Sequence, residues 1–319
     1  MRNNNLIVTG GAGFIGSHIA HSLASKYKKI FIIDNLKTGD ERNLSPEFIF
    51  LNEDCSSFDY EKYKSDFGKI DSIIHFAGQS SAELSFRDPI YDFNTNLKST
   101  IKLLDFANKN DVKSFIFASS VTVYTPGQLM PLKETNEANN SNSFYAITKL
   151  TSEKYINLYS SKNIHTSILR LFNVYGSAQN LGNPDQGMLS IYLEQALKSD
   201  SILVKGSLQR SRDFVHVFDV VDIVQKCLDM NHNSGLKINV CSSRPTKVSE
   251  LLSKISLVLN KEISIVEAES TQGDTFEHWG SNQLCSKIFR KDSWIGLDDG
   301  LKKTVDAYNS GDWFRNRLT

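Results

Sequence analysis

Eight residues near the N-terminus, Thr9-Gly10-Gly11-Ala12-Gly13-Phe14-Ile15-Gly16, limit what this chain can fold into more than any other stretch. A short apolar run, residues 6–9, leads into them, and a helix-period stretch, residues 14–27, leads out. The glycines therefore stand at a strand-to-helix turn. Gly10, Gly13 and Gly16 permit a tight turn, close approach of the backbone to an anionic group, and close packing of helix on strand. The helix start adds uncommitted N–H groups and the positive end of its dipole, which suit a pyrophosphate. The next apolar run, residues 30–33, ends at Asp34. An acid about 20 residues beyond such glycines bonds ribose hydroxyls and repels a 2′-phosphate, so the pattern predicts NAD in preference to NADP.

Further along, residues 48–51, 70–76, 114–119 and 166–172 are strand-like, while residues 90–108 and 144–161 carry helix-period apolar positions. Buried strands alternating with helices predict parallel βαβ units and an α/β Rossmann fold with a doubly wound parallel sheet. The second half is less regular. Residues 173–184 are rich in Asn and Gly and are expected to form a loop. Helices are expected at 187–197, 219–230, 248–259 and 298–308, with short strands at 202–204 and 238–240. The expected division is an NAD-binding domain of residues 1–173, to which 213–241 return, and a smaller C-terminal α/β substrate domain of 174–212 and 242–319.

Composition excludes several classes. Lys+Arg and Asp+Glu number 36 each, so no bulk charge favours nucleic acid or an anionic membrane surface. No apolar run is long enough to span a bilayer, and the N-terminal run is too short for a signal-peptide core. Cys55, Cys227, Cys241 and Cys285 stand far apart, which disfavours a disulfide scaffold or a metal site and fits a reducing cytoplasm.

Tyr145 and Lys149 sit four apart on an expected helix and so share a face. An ammonium beside a phenol favours the phenolate, which is expected to draw Tyr145 down from its ordinary value of ~10 toward a working general base. Tyr60 and Lys64 have the same spacing but lack the surrounding pattern. Context singles out Tyr145, because the strand end Phe117-Ala118-Ser119-Ser120 precedes it by about 25 residues, within a nucleotide-binding pattern.

Further matched pieces are Asp34-Asn35-Leu36, Asp54, His75-Phe76-Ala77-Gly78, Asn96, Ser120-Val121-Thr122-Val123-Tyr124, Leu169-Arg170-Leu171-Phe172-Asn173 and Arg212-Asp213-Phe214-Val215-His216-Val217. With them the chain resembles the extended short-chain dehydrogenases/reductases, most closely the nucleotide-sugar epimerases of the UDP-galactose 4-epimerase type. The likeness runs in register from Leu6 to about Asp222. It implies that Gly10, Gly13, Phe14, Ile15 and Gly16, with Phe76, Ala77 and Gly78, surround the cofactor phosphates. Asn96 would lie near those phosphates, Asp34 and Asn35 would hold the adenosine ribose, and Asp54 and Cys55 would flank the adenine. Lys149 would bond the nicotinamide ribose, Tyr145 would act as the base, and Ser120 would bond the sugar hydroxyl. Ser80 and Thr122 would bind the substrate, Asn173 and Arg212 its diphosphate, and Met188 and Leu189 its nucleobase. His75, Asp213 and His216 are expected to be structural, and Trp313 and Phe314 to serve core or interface.

Beside Ser120 stand Val121 and Thr122, where dehydratase relatives carry an acid and reductase relatives a cysteine. That favours 4-epimerisation of a nucleotide sugar, a UDP-sugar first, with retained NAD. The alternatives are a 4,6-dehydratase, a 4-keto reductase, a 3- or 5-epimerase or a non-catalytic NAD-binding regulator. The resemblance also implies a homodimer paired through residues 90–108 and 144–161. Departures from the pattern lie at Thr271-Gln272-Gly273-Asp274, which lacks the usual arginine, at Thr125, at Phe144 and across 288–294. Arg210 is the candidate to replace the missing arginine.

Overall fold

The computed structural model describes residues 4–139, 141–160, 164–183, 187–230, 235–270 and 275–311. In the first half the strands are β1 Asn5–Thr9, β2 Ile30–Asp34, β3 Ile49–Asn52, β4 Ile70–His75, β5 Ser114–Ser120 and β6 His165–Leu171. The second half adds β7 Asn173–Tyr175, β8 Ser201–Lys205, β9 Ser211–His216, β10 Leu236–Val240, β11 Pro245–Lys247, β12 Ser264–Ala268 and β13 Glu277–His278.

Seven strands form one sheet in the order β10-β6-β5-β4-β1-β2-β3, and every pairing within it is parallel. The period of two along the strands decides which face each residue meets. Leu6, Val8, Ile30 and Ile32 join one core with the helices Phe14–Leu23 and Val217–Asp229. Ile7, Phe31 and Ile33 join the opposite core with the helices Ser99–Lys109 and Phe144–Ser160. Both faces are covered, so the strands are apolar throughout rather than alternating. From β1 the chain winds outward one way through β2 and β3, then the other way through β4, β5, β6 and β10. The reversal between β1 and β4 opens a crevice at the carboxyl ends of those strands.

The second half builds two small sheets. One contains β11, β9, β13 and β7, the other β12 and β8. Their core gathers Tyr175, Leu189, Leu193, Leu251, Ile255 and Leu301 under the helices Met188–Lys198, Val248–Leu259 and Leu297–Ser310. The stretch 173–184 opens on β7 rather than on loop, because three residues there pair with β9 across forty positions of sequence. Such a strand has no periodicity of its own to read. The expected helix 90–108 is also subdivided. It starts at Pro89, capped by the Asp88 carboxylate on Tyr91 N–H (2.8 Å), and passes through a π-helical turn, Phe93–Lys98, before the Ser99–Lys109 helix. Insertions of this kind are frequent at functional sites.

Candidate active site

At the crevice lies a cavity of about 1090 Å³, walled on one side by the carboxyl ends of β1, β2, β4 and β5 and on the other by the second half of the chain. Gly10, Gly13, Phe14, Ile15, Gly16, Asp34, Asn35, Asp54, Cys55, Phe76, Ala77 and Gly78 line it. So do Ser80, Ser120, Thr122, Tyr145, Lys149, Asn173, Met188, Leu189 and Arg212. Asn96 is not on the surface of the cavity. It is buried one layer behind Gly78, where its Oδ1 lies 2.4 Å from the position a Cβ on Gly78 would take.

The glycine turn explains itself sterically. A Cβ on Gly10 would fall 2.6 Å from Ala77 N, and one on Gly16 would fall 2.1 Å from the Gly10 carbonyl oxygen. Gly10 also holds a left-handed φ of +69°. Gly13 N–H donates to Gly10 O (3.1 Å), and Gly13 is the N-cap of the Phe14–Leu23 helix, whose first turn carries no acid. At the end of β2, Asp34 accepts from Ala12 N–H (3.0 Å) and Leu36 N–H (2.9 Å), yet burial still raises its pKa. Asn35 Nδ2 donates to Asp54 Oδ2 (2.9 Å), joining two of the predicted adenosine contacts. Bare backbone and an open helix N-terminus, with a carboxylate at the next strand end, fit a dinucleotide.

At the other end of this wall Tyr145 and Lys149 rise from the Phe144–Ser160 helix toward the end of β5, and both are buried. Ser120 stands by Tyr145 as a hydrogen-bonding neighbour that lowers its pKa. Ser120 Oγ in turn accepts from Thr122 Oγ1 (3.0 Å), and Ser120 caps the turn Val121–Val123. Lys149 Nζ donates to Ala118 O (3.0 Å) and lies 5.9 Å from the centre of the Tyr145 ring. The expectation that the ammonium draws Tyr145 downward is corrected here. Burial dominates and pushes Tyr145 up to about 12, with the Ser120 hydrogen bond opposing it. Burial likewise pushes Lys149 down to about 8.

The residues read as structural are placed accordingly. His75 bonds Thr9 Oγ1 (2.7 Å) and Thr100 Oγ1 (2.9 Å), and burial pushes its pKa down to about 3. Asp213 accepts from Ser242 N–H (2.7 Å) and Ser243 N–H (3.0 Å), tying β9 to the loop after β10. His216 accepts from Phe218 N–H (3.2 Å). Tyr60 is buried and its hydroxyl donates to Cys55 O (3.4 Å), so its spacing to Lys64 carries no chemistry. The four cysteines are buried and free.

The opposite wall comes from separate segments. Asn173 Nδ2 donates to Asp213 O (3.3 Å), and Arg212 Nη1 donates to Ser211 O (2.7 Å). Arg210 lines the cavity as well, with Nη2 donating to Tyr192 Oη (3.1 Å). Gln179, Tyr192, His278 and Tyr308 also line it and escaped the sequence reading, since they stand in stretches with no local pattern. Residues 271–274, Trp313 and Phe314 lie outside the described residues.

A glycine cradle and a buried Ser–Tyr–Lys group sharing one cavity define a dinucleotide-dependent enzyme of the α/β class. The model of the NAD dependent epimerase/dehydratase family matches residues 6–241. The chain is 31% identical to a putative UDP-glucose 4-epimerase of Methanocaldococcus jannaschii over 313 residues, 98% of each protein. It superposes on the UDP-glucose 4-epimerase of Thermotoga maritima, solved with UDP-glucose, with a TM-score of 0.90 at 27% identity, covering 96% of this chain and 99% of that one. The UDP-glucose 4-epimerase of Thermus thermophilus in complex with NAD gives 0.85 at 28% identity, covering 96% and 99%. The chain belongs to the NAD dependent epimerase/dehydratase family, and NAD is its redox cofactor.

Proposed function

We propose that this enzyme inverts carbon 4 of a nucleotide-linked hexose, a UDP-hexose first, through a transient 4-keto sugar. The observation that carries the reading is the meeting of the glycine cradle, the Ser120–Tyr145–Lys149 group and the Arg212 wall around one cavity. Gly10 to Gly16, Asp34 and Asn35, with Asp54, Cys55 and Phe76 to Gly78, would hold NAD along the first wall. When bound, NAD would supply a hydride acceptor and donor and, in its oxidised form, a positive charge.

Tyr145 takes the proton of the C4 hydroxyl as that carbon is oxidised and returns a proton to the oxygen when it is reduced again. To take that proton Tyr145 must be in its phenolate form, so the positive charge that bound NAD and Lys149 would supply has to offset the burial that raises it. Ser120, hydrogen-bonded to Tyr145, orients the sugar hydroxyl. Lys149 supplies the cation that steadies the phenolate. Arg212 and Asn173 grip the diphosphate, with Arg210 beside them, while Ser80 and Thr122 touch the sugar and Met188 and Leu189 face the base. Firm phosphate contacts with few sugar contacts let the ketone turn over between the two half-reactions. No acid stands at Val121 or Thr122 for removal of water, which favours epimerisation over dehydration.

The same reading divides the chain into the cofactor domain of 1–173 with its return near 213–241, and the substrate domain of 174–212 and 242–319. The packing of the helix Val217–Asp229 on the core of the main sheet supports a return of the chain in this region. It makes the protein a cytoplasmic homodimer, in keeping with four buried thiols and, among the described residues, no helix able to cross a membrane. The paired surface would be Ile90, Phe93, Phe144, Ile147 and Leu158, all exposed on neighbouring helices, with Leu158 70% exposed. Sugar supply for surface polysaccharide is the employment this suggests.

Proton NMR of the enzyme with UDP-, dTDP-, GDP- and CDP-hexoses should show a C4 epimer of unchanged mass. Loss of water, or turnover only with keto-sugars, would overturn the reading. Tyr145→Phe should lower kcat by about 10²–10⁴-fold. Leu158→Glu should convert a dimer to monomers in light scattering.

A further inference from the structure

Behind the wall that carries Tyr145 and Lys149 lies a buried carboxylate with no role in the reaction described so far. Asp92 ends the Pro89–Asp92 helix and is wholly buried. Its Oδ1 accepts from Gln79 Nε2 and from Asn96 Nδ2 (2.9 Å), and its Oδ2 accepts from Thr148 Oγ1 (2.7 Å). None of these partners is charged.

Each donor belongs to a different piece of the cavity wall. Gln79 lines the cavity, and its Oε1 accepts from Ser81 N–H (2.7 Å), which settles which end of the amide faces Asp92. Asn96 lies in the π-helical turn and backs Gly78, with its Oδ1 unpartnered and turned toward that glycine. Turning the amide over would set two oxygens against each other, so Asp92 dictates this orientation. The same point beside Gly78 is 3.3 Å from Lys149 Nζ. Thr148 directly precedes Lys149 on the helix that carries Tyr145, and its hydroxyl also reaches the Tyr145 carbonyl oxygen (3.1 Å).

We propose that Asp92 is a positioning residue for the Tyr145–Lys149 pair, a fixed negative charge behind the cavity wall that sets the pH window in which the pair works. The proposal rests on the reading of Tyr145 and Lys149 as the groups that move and steady the proton. Burial pushes Lys149 down, and Asp92 opposes that fall, keeping the ammonium charged. Burial pushes Tyr145 up, the Ser120 hydrogen bond lowers it, and Asp92 adds to the rise, so Asp92 moves the loss of the phenol proton to higher pH. Of the other titratable groups near this point, Tyr91 adjoins Asp92 on its own helix and is raised by burial, with Asp54, Asp88 and Asp92 adding to it. His75, at the end of β4, feels Lys149 and stays neutral through the working range.

The test is the pH dependence of kcat, followed by NMR, for the wild type and for Asp92→Asn and Asp92→Ser, with Tyr145→Phe beside them. Removing the negative charge lowers both pKa values, so both limbs of the profile should move to lower pH by about half a unit or more. A structural strut would reduce kcat and leave the limbs in place, and that result overturns the proposal. Failure of both Asp92 variants to fold, judged by circular dichroism and Tm, overturns it equally. Thr148→Val removes one donor but keeps the charge, and its limbs should stay where the wild-type limbs are. If Tyr145→Phe retains turnover, the reading of the pair fails. If it is inactive while the Asp92 profiles are unmoved, only the role of Asp92 fails.

Discussion

The two walls of the cavity are made in opposite ways. The cofactor wall is built from backbone: glycines whose missing side chains leave room, a helix N-terminus, and residues at successive strand ends of one parallel sheet. The opposite wall, the one proposed to hold substrate, is built from side chains delivered by separate segments, Asn173 on β7, Arg212 on β9, and Met188 and Leu189 at the start of a helix. A backbone wall recognises what is constant in its ligand and tolerates almost no substitution. A side-chain wall can be rewritten residue by residue without disturbing the sheet, which is where substrate differences among proteins of one scaffold are expected to be stored.

The largest expected effect ignores the distinction and so tests whether the halves stand together. His75 belongs to the first half and His216 to the second; both are buried, and burial pushes each down to about 3. The folded protein therefore holds fewer protons than the unfolded chain below pH ~6.5, and stability is full above that value and lost as pH falls toward 3. Asp213 runs the other way. Burial raises it to about 6, so its contribution is complete below ~3.8 and is lost as pH rises through 6. The histidines should prevail, and Tm should fall steadily from pH 7 to pH 4 in one transition. Two transitions would show halves that unfold separately, and a flat profile would contradict the burial of both rings.

Next in size is a break confined to the backbone wall. Gly16→Ala sets a Cβ 2.1 Å from the Gly10 carbonyl oxygen, which cannot swing aside as a flexible side chain would. Loss of about 3 kcal/mol in urea unfolding is expected, with NAD affinity falling alongside. A neutral result would mean that the turn can open, and that the rigidity assigned to this wall is wrong. The smallest effect belongs to the other wall. Arg212→Gln should raise KM by roughly 10–100-fold, as loss of a charged hydrogen-bonding group does, while kcat changes little and urea unfolding stays close to the wild type. An equal fall in kcat would move Arg212 from grip to chemistry.

The first six strands were legible in the sequence to within a residue or two, because each is a short apolar run closed by turn residues. The small strands β7, β9, β11 and β13 were not. Two to six residues long, they exist because they pair with one another across the fold, and nothing local announces that. The site divides along the same line. Gly10 to Gly16, Asp34, Ser120, Tyr145 and Lys149 carry fixed spacings, whereas Gln179, Tyr192 and His278 reach the cavity only after the second half has folded over the first.

Sequence alone determined the doubly wound sheet and singled out the dinucleotide cradle and the Tyr145–Lys149 pair proposed to handle the proton, since each shows in period and spacing over a few tens of residues. Tertiary structure decided the electrostatics of that pair. Whether Tyr145 rests as phenol or phenolate turns on burial, on the hydrogen bond from Ser120 and on a carboxylate at Asp92, whose distance in sequence conceals that it lies behind the same wall. Spacing conveys which groups share a helix face. The cost of charging them depends on everything that excludes water around them, and only the folded chain assembles that.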